Sequence, residues 1–200
     1  MAVVALVMAG GEGTRMGRVE KSLLHVGDKT LIQRVVEVLT HSRSVNRIIV
    51  AVSPRTRQTG IEAAGLGVEI INTPGQGYHA DMKVAIRDLG LADVLVVSAD
   101  LPFLLSRVVD EAVDRYFASG KPSLMVAAPV ELFESNGMEP SNVFDLNGRK
   151  LAPIGVNVID GRRVNEPVLD EAVYVAQFND LVFNVNTVRD LELARNRFAQ

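Results

Sequence analysis

A cluster of glycines and two cations follows the first apolar run of the chain. After the run VVALVM (3–8), the sequence reads AGGEGTRMGRVEK (9–21). Closely spaced glycines let backbone N–H groups approach a polyphosphate. Arg15 would offer a planar fork to two phosphate oxygens, and Lys21 would add a compact ammonium group. The segment therefore predicts a polyphosphate-binding loop, and a glycine-rich turn with two solvated cations is the alternative for the motif taken alone.

Neither of two familiar phosphate-binding patterns fits this loop. The P-loop requires a lysine and then a serine or threonine after its last glycine, whereas Gly17 is followed by Arg18 and Val19. The dinucleotide pattern GxGxxG fits Gly11 and Gly13, but its third glycine falls one position late. The location still favours a ligand site, because open α/β sheets bind ligands outside the carboxyl ends of their strands.

A second apolar run ends in a lone carboxylate. The segment VLVVSADLP (94–102) carries Asp100 just after its strand-like part. If this strand and the first are parallel neighbours, Asp100 lies at the same sheet edge as the glycine loop. A carboxylate there would repel phosphates unless a cation mediates, and Mg²⁺ commonly bridges carboxylate and phosphate oxygens. The alternative is that Asp100 caps a helix beginning near Pro102.

Two further segments carry polar side chains that suit a nucleotide site. In FNVNT (183–187), Asn184 and Asn186 alternate with apolar residues and face one side of a predicted strand end, where they could hold a metal, a ribose or a phosphate. In NTPGQGYHADM (72–82), Asp81 is a candidate acceptor for a base N–H and Tyr78 is a candidate for stacking. Ordinary turn and cap chemistry is the alternative for both segments.

The elements that must position these residues alternate between strand and helix. Short apolar runs rich in Val and Ile occur at 2–8, 47–53, 68–73, 93–98, 123–130, 154–160 and 180–186. Amphipathic helical patterns lie at 30–41, 78–90, 106–120 and 187–200. Nearly continuous apolarity in the strands suits a parallel sheet covered on both faces. The alternation predicts a doubly wound α/β sheet in one domain, 1–200, with a polar flap or loop excursion at about 131–155.

Composition excludes several classes of protein. The chain has 200 residues, 48% of them hydrophobic and 22% charged, which is typical of one globular domain. Its net charge of −3 gives no sequence-wide footprint for nucleic acid or an anionic membrane. It has no cysteine and no apolar stretch of the roughly 18 residues that a membrane-spanning helix needs. We expect a cytoplasmic protein without a nucleic-acid partner or a membrane span, and the sequence leaves open whether it forms a homodimer.

The segments MAGGEGTRMG…EKSLL, SADLP and FNVNT, in this order, resemble the nucleotidyltransferase superfamily of sugar-nucleotide pyrophosphorylases and molybdenum-cofactor guanylyltransferases. The segments TPGQGYHADM and LAPIGVNVID are similar to those of the archaeal GTP:adenosylcobinamide-phosphate guanylyltransferases. The resemblance spans roughly residues 3–195. It implies a single-domain, Rossmann-like nucleotidyltransferase fold with a mostly parallel mixed sheet flanked by helices.

The resemblance also implies an activity: transfer of GMP from GTP to adenosylcobinamide phosphate in cobalamin nucleotide-loop assembly, with Mg²⁺ as cofactor. Arg15, Lys21 and Asp100 are then the expected catalytic residues, with Asp100 and Asn186 on the metal. The expected GTP-binding residues are Ala9, Gly10, Gly11, Gly13, Thr14, Gly77, Tyr78, Asp81 and Asn184. The flap would cover the corrinoid, with Gly155 at its close approach. Two alternatives remain, a molybdenum-cofactor guanylyltransferase and a catalytically silent GTP-binding regulator.

Overall fold

The computed structural model of the protein describes residues 2–11, 13, 16–17 and 19–200. Its strands are β1 (Val3–Met8), β2 (His25–Val26), β3 (Lys29–Thr30), β4 (Val45–Val52), β5 (Glu69–Asn72), β6 (Asp93–Ser98), β7 (Ser123–Pro129), β8 (Phe144–Leu146), β9 (Arg149–Asp160) and β10 (Glu171–Val175). Its α-helices are α1 (Leu31–Thr40), α2 (Arg57–Gly65), α3 (Tyr78–Asp88), α4 (Ser106–Ser119), α5 (Val130–Ser135) and α6 (Val188–Phe198). Short 3-10 helices occur at Lys21–Leu23, Gly161–Arg163 and Asn179–Val182.

One mixed sheet organises the molecule, in the order β10-β7-β9-β6-β1-β4-β5 with β8 added beside β9. The pairs β1–β4, β1–β6, β4–β5 and β7–β10 are parallel. Strand β9 runs antiparallel to β6, β7 and β8. The predicted α/β class with a mostly parallel mixed sheet is therefore confirmed, and so is the parallel neighbourhood of the first strand and the strand before Asp100.

The side chains of β1 show why helices cover both faces of the sheet. Ala5 and Val7 pack in one buried cluster with α1 and α4, whereas Leu6 and Met8 pack in a second cluster with α3. The sequence pairs Thr30 with Gln33 and Thr187 with Asp190, a spacing that predicts capping boxes, and both boxes form at the starts of α1 and α6. In the part of the chain that the structure describes, no helix combines the length and apolarity needed to cross a bilayer.

Several elements differ from the sequence-based prediction. Helix α2 was not predicted because its buried residues are the small Thr59, Gly60 and Ala63, which give a weak apolar stripe. Strand β10 was also missed. The predicted strand at 180–186 is wrong, because the chain forms the 3-10 helix Asn179–Val182 there and then runs on outside the sheet ladders.

The region predicted as a flap contains regular structure at both ends. Most of α5 and the whole of β8 lie in it, and β9 returns to β7 at Leu151, opposite Pro129. The longest part without a helix or strand is residues 136–143. The helical pattern at 187–200 would turn Phe198 inward with Leu191 and Ala194, but Phe198 is 45% exposed, with the Arg34 guanidinium 4.4 Å from its ring centre.

Candidate active site

Three parallel strands bring the candidate residues to one edge of the sheet. The Ala9 N–H, just after β1, donates to the Ala51 carbonyl of β4 at 2.9 Å, and the Ala99 N–H donates to the Met8 carbonyl at 3.2 Å. The Val185 N–H donates to the Asp100 carbonyl at 3.0 Å, which adds the late asparagine segment to the same edge. The carboxyl ends of β1, β4 and β6 thus form one platform, as expected for a ligand site in an open α/β sheet.

A cavity of about 410 Å³ lies over this platform. Most residues predicted for the nucleotide or the chemistry line it: Ala9, Gly10, Gly11, Lys21, Gly77, Tyr78, Asp81, Asp100, Asn184 and Asn186. Its wall also contains residues that the sequence did not single out: Met8, Ser22, Gly75, Ser98, Ala99 and Ser141. The two glycine-rich turns and the two polar strand ends therefore belong to one concave site.

Two of the other predicted residues are described but are not in this wall, and two are not described. Thr14 and Arg15 lie outside the described residues. Gly13 has a φ of +55°, and a Cβ there would lie 2.3 Å from the Val19 carbonyl oxygen, so loop packing alone requires glycine. Gly155 has a φ of +84° at an irregularity of the β7–β9 ladder, and a Cβ there would lie 2.9 Å from the Ser98 hydroxyl oxygen. Neither Gly13 nor Gly155 lines the cavity.

The chemical groups at the cavity floor form a connected chain. The Lys21 ammonium group donates to the Asp100 carboxylate and, at 2.8 Å, to the Asn186 amide oxygen. Asn186 in turn donates from its amide nitrogen to the Asn184 amide oxygen at 2.8 Å. The Lys21 and Asp100 side chains are only 18% and 13% exposed. Mutual pairing is what allows these opposite charges to remain buried.

Asp100 retains an unused acceptor. Its Oδ1 is buried and has no hydrogen-bond partner among the described residues. A buried carboxylate oxygen without a donor is unfavourable unless something else binds it, and a divalent cation is such a group. The alternative role as a helix cap does not apply, because α4 begins at Ser106 with Leu105 at its N-cap.

The cavity floor contains a few oxygen atoms that could bind a metal ion. Asp100 and Asn186 supply one carboxylate and one amide oxygen, both held near Lys21. The described residues contain no group of three or more His, Cys, Asp or Glu side chains placed to hold a metal. This donor set fits Mg²⁺, which usually takes one or two carboxylates and completes its shell with water and substrate phosphates.

Asp81 and the start of α3 form the opposite wall of the cavity. Asp81 is 4% exposed, and its Oδ1 accepts from the Gly75 and Gln76 N–H groups at 3.0 and 3.1 Å. Its Oδ2 would lie 3.7 Å from a Cβ at Gly10, so this second oxygen faces the first glycine of the loop. Helix α3 begins after Gly77, whose φ is +110°, and no side chain caps it. This wall offers a carboxylate acceptor beside free helix N–H donors.

Tyr78 is a hydroxyl donor in the same wall. The residue is 38% exposed, but burial of its phenol raises the pKa to about 12; the Ser98 side chain lowers this pKa, and the Asp100 charge raises it further. The phenol therefore stays protonated at neutral pH. It can donate a hydrogen bond but cannot act as a base there.

A second cavity, of about 600 Å³, adjoins the first. Its wall comes from α5, the 138–142 loop, Pro153 and Ile154 of β9, and the chain from Leu181 to Asp190. Ser141, Asn184 and Asn186 line both cavities. The sequence gave no signal for Ser141, because it lies in a polar loop far along the chain from every other residue of the platform.

The amino-acid sequence of the chain is similar to those of known proteins. Residues 5–154 match the family model described as the MobA-like NTP transferase domain. The chain is 36% identical over 200 residues to the adenosylcobinamide-phosphate guanylyltransferase of Methanocaldococcus jannaschii, covering 95% of this chain and 94% of the relative. It is 28% identical over 197 residues to a protein of Pelotomaculum thermopropionicum named probable molybdenum cofactor guanylyltransferase, covering 95% and 90%.

Solved structures share the fold at lower identity. CMP:2-keto-3-deoxy-manno-octonic acid synthetase complexed with CTP superposes with a TM-score of 0.76 at 17% identity, over 100% of this chain and 98% of that one. The 4-diphosphocytidyl-2C-methyl-D-erythritol synthase of Anaerococcus prevotii gives 0.72 at 11%, over 100% and 96%. At these identities the likeness shows the fold alone.

Proposed function

We propose, since this chain belongs to the family of MobA-like NTP transferase domains, that it transfers GMP from GTP to adenosylcobinamide phosphate and releases pyrophosphate. The family makes the chain a nucleotidyltransferase. The choice of GTP and of this acceptor rests on the M. jannaschii relative, which matches along nearly the whole of both chains. The structural observation that carries the proposal is the meeting of two cavities at Asn184 and Asn186, beside the Lys21–Asp100 pair.

The loop after β1 is the proposed binding site of the triphosphate. Gly10 and Gly11 present backbone without side chains to the cavity, and a Cβ at Gly11 would meet no described atom within 4 Å. Ligand oxygens can therefore approach the main chain there. We assign the β- and γ-phosphates to this loop and, by the resemblance, to Arg15.

The guanine is assigned to the wall formed by Asp81 and α3. Guanine carries N–H donors on one part of its edge and the O6 acceptor beside them. The Oδ2 of Asp81, to which no described residue donates, can accept from these N–H groups, while the uncapped N–H groups of α3 and the Tyr78 hydroxyl can donate to O6. Adenine has a donor where guanine has O6, so this wall disfavours ATP.

Asp100 and Asn186 are the proposed holders of Mg²⁺. The orphaned Oδ1 of Asp100 is the observation in favour, because it is a buried anionic acceptor that nothing in the described protein satisfies. The metal would supply charge neutralisation of the triphosphate in the transition state. Lys21 then has to turn from Asp100 and Asn186 toward the phosphates, which its flexible side chain permits.

In this reaction, the residues of the protein position the two substrates and neutralise the charge that develops on the phosphates. A phosphate oxygen of the acceptor attacks the α-phosphorus of GTP, a new P–O bond forms, and the P–O bond to pyrophosphate breaks. Lys21, freed from its pairing, donates to oxygens of the α-phosphate as charge develops on them. Asn184 and Asn186 stand on the boundary between the two cavities, where the attacking oxygen and the α-phosphorus must meet.

The second cavity is assigned to the acceptor. Its 138–142 wall belongs to the region expected to cover the corrinoid, and its apolar side includes Phe133, Ile154 and Leu181. A mixed apolar and amide-bearing wall suits a large ring with amide side chains. The reaction is assigned to the cytoplasm, where GTP is available, and to the assembly of the cobalamin nucleotide loop.

Incubation of the purified protein with GTP, Mg²⁺ and adenosylcobinamide phosphate tests the proposal. We expect stoichiometric pyrophosphate and guanylylated cobinamide, and neither product when GTP is replaced by CTP. Parallel incubation with molybdopterin tests the second candidate, which the P. thermopropionicum relative favours. Transfer to molybdopterin alone would refute the acceptor, and GTP binding without pyrophosphate release from any acceptor would show a silent binding protein.

A further inference from the structure

Glu20, one residue before Lys21, is bonded to a helix distant in sequence. Its Oε2 accepts from the Thr59 N–H at 2.6 Å and from the Thr59 hydroxyl at 2.8 Å. Its Oε1 accepts from the Gln58 N–H at 3.2 Å. Thr59 is fully buried, while the Glu20 residue is half-buried. A carboxylate that accepts several N–H and O–H groups forms charge-assisted hydrogen bonds, which are stronger than neutral ones.

These bonds replace the cap that α2 lacks. Thr56 is the N-cap residue, yet its side chain makes no cap hydrogen bond to α2 and instead accepts from the Ser53 N–H at 2.9 Å. Gln58 and Thr59 occupy the second and third helical positions, whose N–H groups an N-cap side chain normally satisfies. Glu20 satisfies both from outside the helix, and its negative charge suits the positive end of the helix dipole.

The same contacts fix the backbone that carries Lys21. The Glu20 carbonyl accepts from the Leu23 N–H at 2.9 Å, and the Lys21 carbonyl accepts from the Leu24 N–H at 3.0 Å, which closes the 3-10 turn. Among the described residues, the Lys21 side chain links this turn to the platform through Asp100 and Asn186, and Glu20 links it to α2. Lys21 extends from the turn to the cavity floor, so a shift of the turn moves the ammonium group.

The segment before α2 also holds the other end of the glycine loop. The Ser53 hydroxyl donates to the Gly10 carbonyl at 2.9 Å. Ser53 therefore holds the start of the loop by a hydrogen bond to Gly10. Thr59 holds its end by a hydrogen bond to Glu20. Glu20, Ser53 and Thr59 are all outside the wall of the nucleotide cavity.

We infer that Glu20 is a positioning residue that acts through Lys21. By anchoring the loop end to α2, it holds the Lys21 backbone where the ammonium group can reach the α-phosphate. The inference rests on the proposed role of Lys21 in nucleotidyl transfer. It predicts that loss of the Glu20 carboxylate lowers turnover without removing any group that touches the substrate.

Glu20→Gln tests it, because the amide keeps the shape but loses the charge and one acceptor oxygen. We expect kcat for pyrophosphate release to fall by about tenfold or more, in the range that a misplaced catalytic group produces. Acceptor KM should stay within about twofold, because the second cavity is untouched. The matched control is Glu62→Gln on the same helix, because the Glu62 carboxylate accepts from the Thr30 hydroxyl at 2.5 Å and from no described residue of the loop. Its kcat should stay at the wild-type value.

A double-mutant cycle separates positioning from general damage. If Glu20 acts through Lys21, adding Glu20→Gln to Lys21→Met should lower the remaining rate by less than about twofold, because coupled residues are not additive. A full additional loss in the Lys21→Met background, or equal kcat for Glu20→Gln and wild type, would overturn the inference. A wild-type protein that transfers no nucleotide would refute the proposed function instead, so the two failures are distinguishable. Urea unfolding of each variant identifies any that fails to fold.

Discussion

Gly155→Ala is expected to destabilise the protein more than a glycine substitution at an ordinary turn. The residue has a φ of +84°, and an added Cβ would lie 2.9 Å from the Ser98 Oγ and 3.1 Å from the Ser98 Cβ. Left-handed backbone at a residue with a side chain costs about 1–2 kcal/mol. Overpacking the contact with Ser98, which like Gly155 is half-buried, adds about 1–3 kcal/mol. We therefore expect the free energy of unfolding to fall by about 2–5 kcal/mol.

Gly120→Ala is the matched control for this substitution. Gly120 ends α4 with a φ of +64°, and a Cβ there would meet no described atom within 4 Å. The control therefore carries the backbone term alone, about 1–2 kcal/mol. Urea titrations of the two variants and the wild type, with the m-value checked for constancy, give the difference in unfolding free energy. In a chain of this size each kcal/mol lowers Tm by about 2–4 °C, so thermal scans provide a second readout.

Equal losses for the two variants would refute the packing argument. The close contact between Gly155 and Ser98 would then play no part, and the expectation that Gly155 marks the approach of the corrinoid would gain weight. A role of Gly155 in corrinoid binding would give a different experimental result. Gly155→Ala would raise the acceptor KM while leaving the stability no lower than in Gly120→Ala.

Three further predictions concern the nucleotide loop, the acid and the tyrosines. Gly11→Ala should fold with wild-type stability, because the added methyl group would lie within 4 Å of no described atom. It should weaken GTP binding by about tenfold, measured by calorimetry, because the methyl group would obstruct the approach of the phosphates to the backbone. Unchanged affinity would remove Gly11 from the phosphate site. Asp100→Asn should lower kcat by about a hundredfold and abolish the response to Mg²⁺, measured in single-turnover assays; near-normal Mg²⁺-dependent turnover would contradict its metal role. Burial and then the hydrogen bond to Glu111 raise the pKa of Tyr174 to about 12, so the folded protein holds this proton more tightly than the unfolded chain. Stability from this group is present below about pH 10 and is lost as the pH rises toward 12, which urea titrations and tyrosinate absorbance should show; tyrosinate absorbance of the folded protein rising near pH 10 for every tyrosine would be the opposite result.

The sequence predicted the platform because its determinants are local. Continuous Val-rich runs before Gly10 and Asp100 imply buried parallel strands, and the carboxyl ends of neighbouring parallel strands share one edge. The capping boxes at Thr30 and Thr187 each involve residues three positions apart. The start of each helix can therefore be predicted from the sequence. Once the strands are neighbours, the meeting of the loop with Asp100 follows.

Contacts between distant segments could not be predicted in the same way. Glu20 meets Thr59 across 39 positions only because α2 packs beside the loop, and α2 itself has small buried residues that leave little apolar signal. Around Asn184 and Asn186, burial alternates as it would in a strand, yet among the described residues the backbone there bonds to the sheet edge only from the Val185 N–H to the Asp100 carbonyl. An extended segment that is buried on one side alternates apolar and polar residues even when it pairs with no neighbouring strand.

A crystal structure of the protein with GTP and Mg²⁺ tests the central claim most directly. We predict triphosphate oxygens against the Gly10–Gly11 backbone, a metal at about 2.1 Å from an Asp100 carboxylate oxygen, and Lys21 turned from Asp100 to the phosphates. A nucleotide seated in the cavity next to α5, or a metal bound elsewhere while the Lys21–Asp100 pair stays closed, would contradict it.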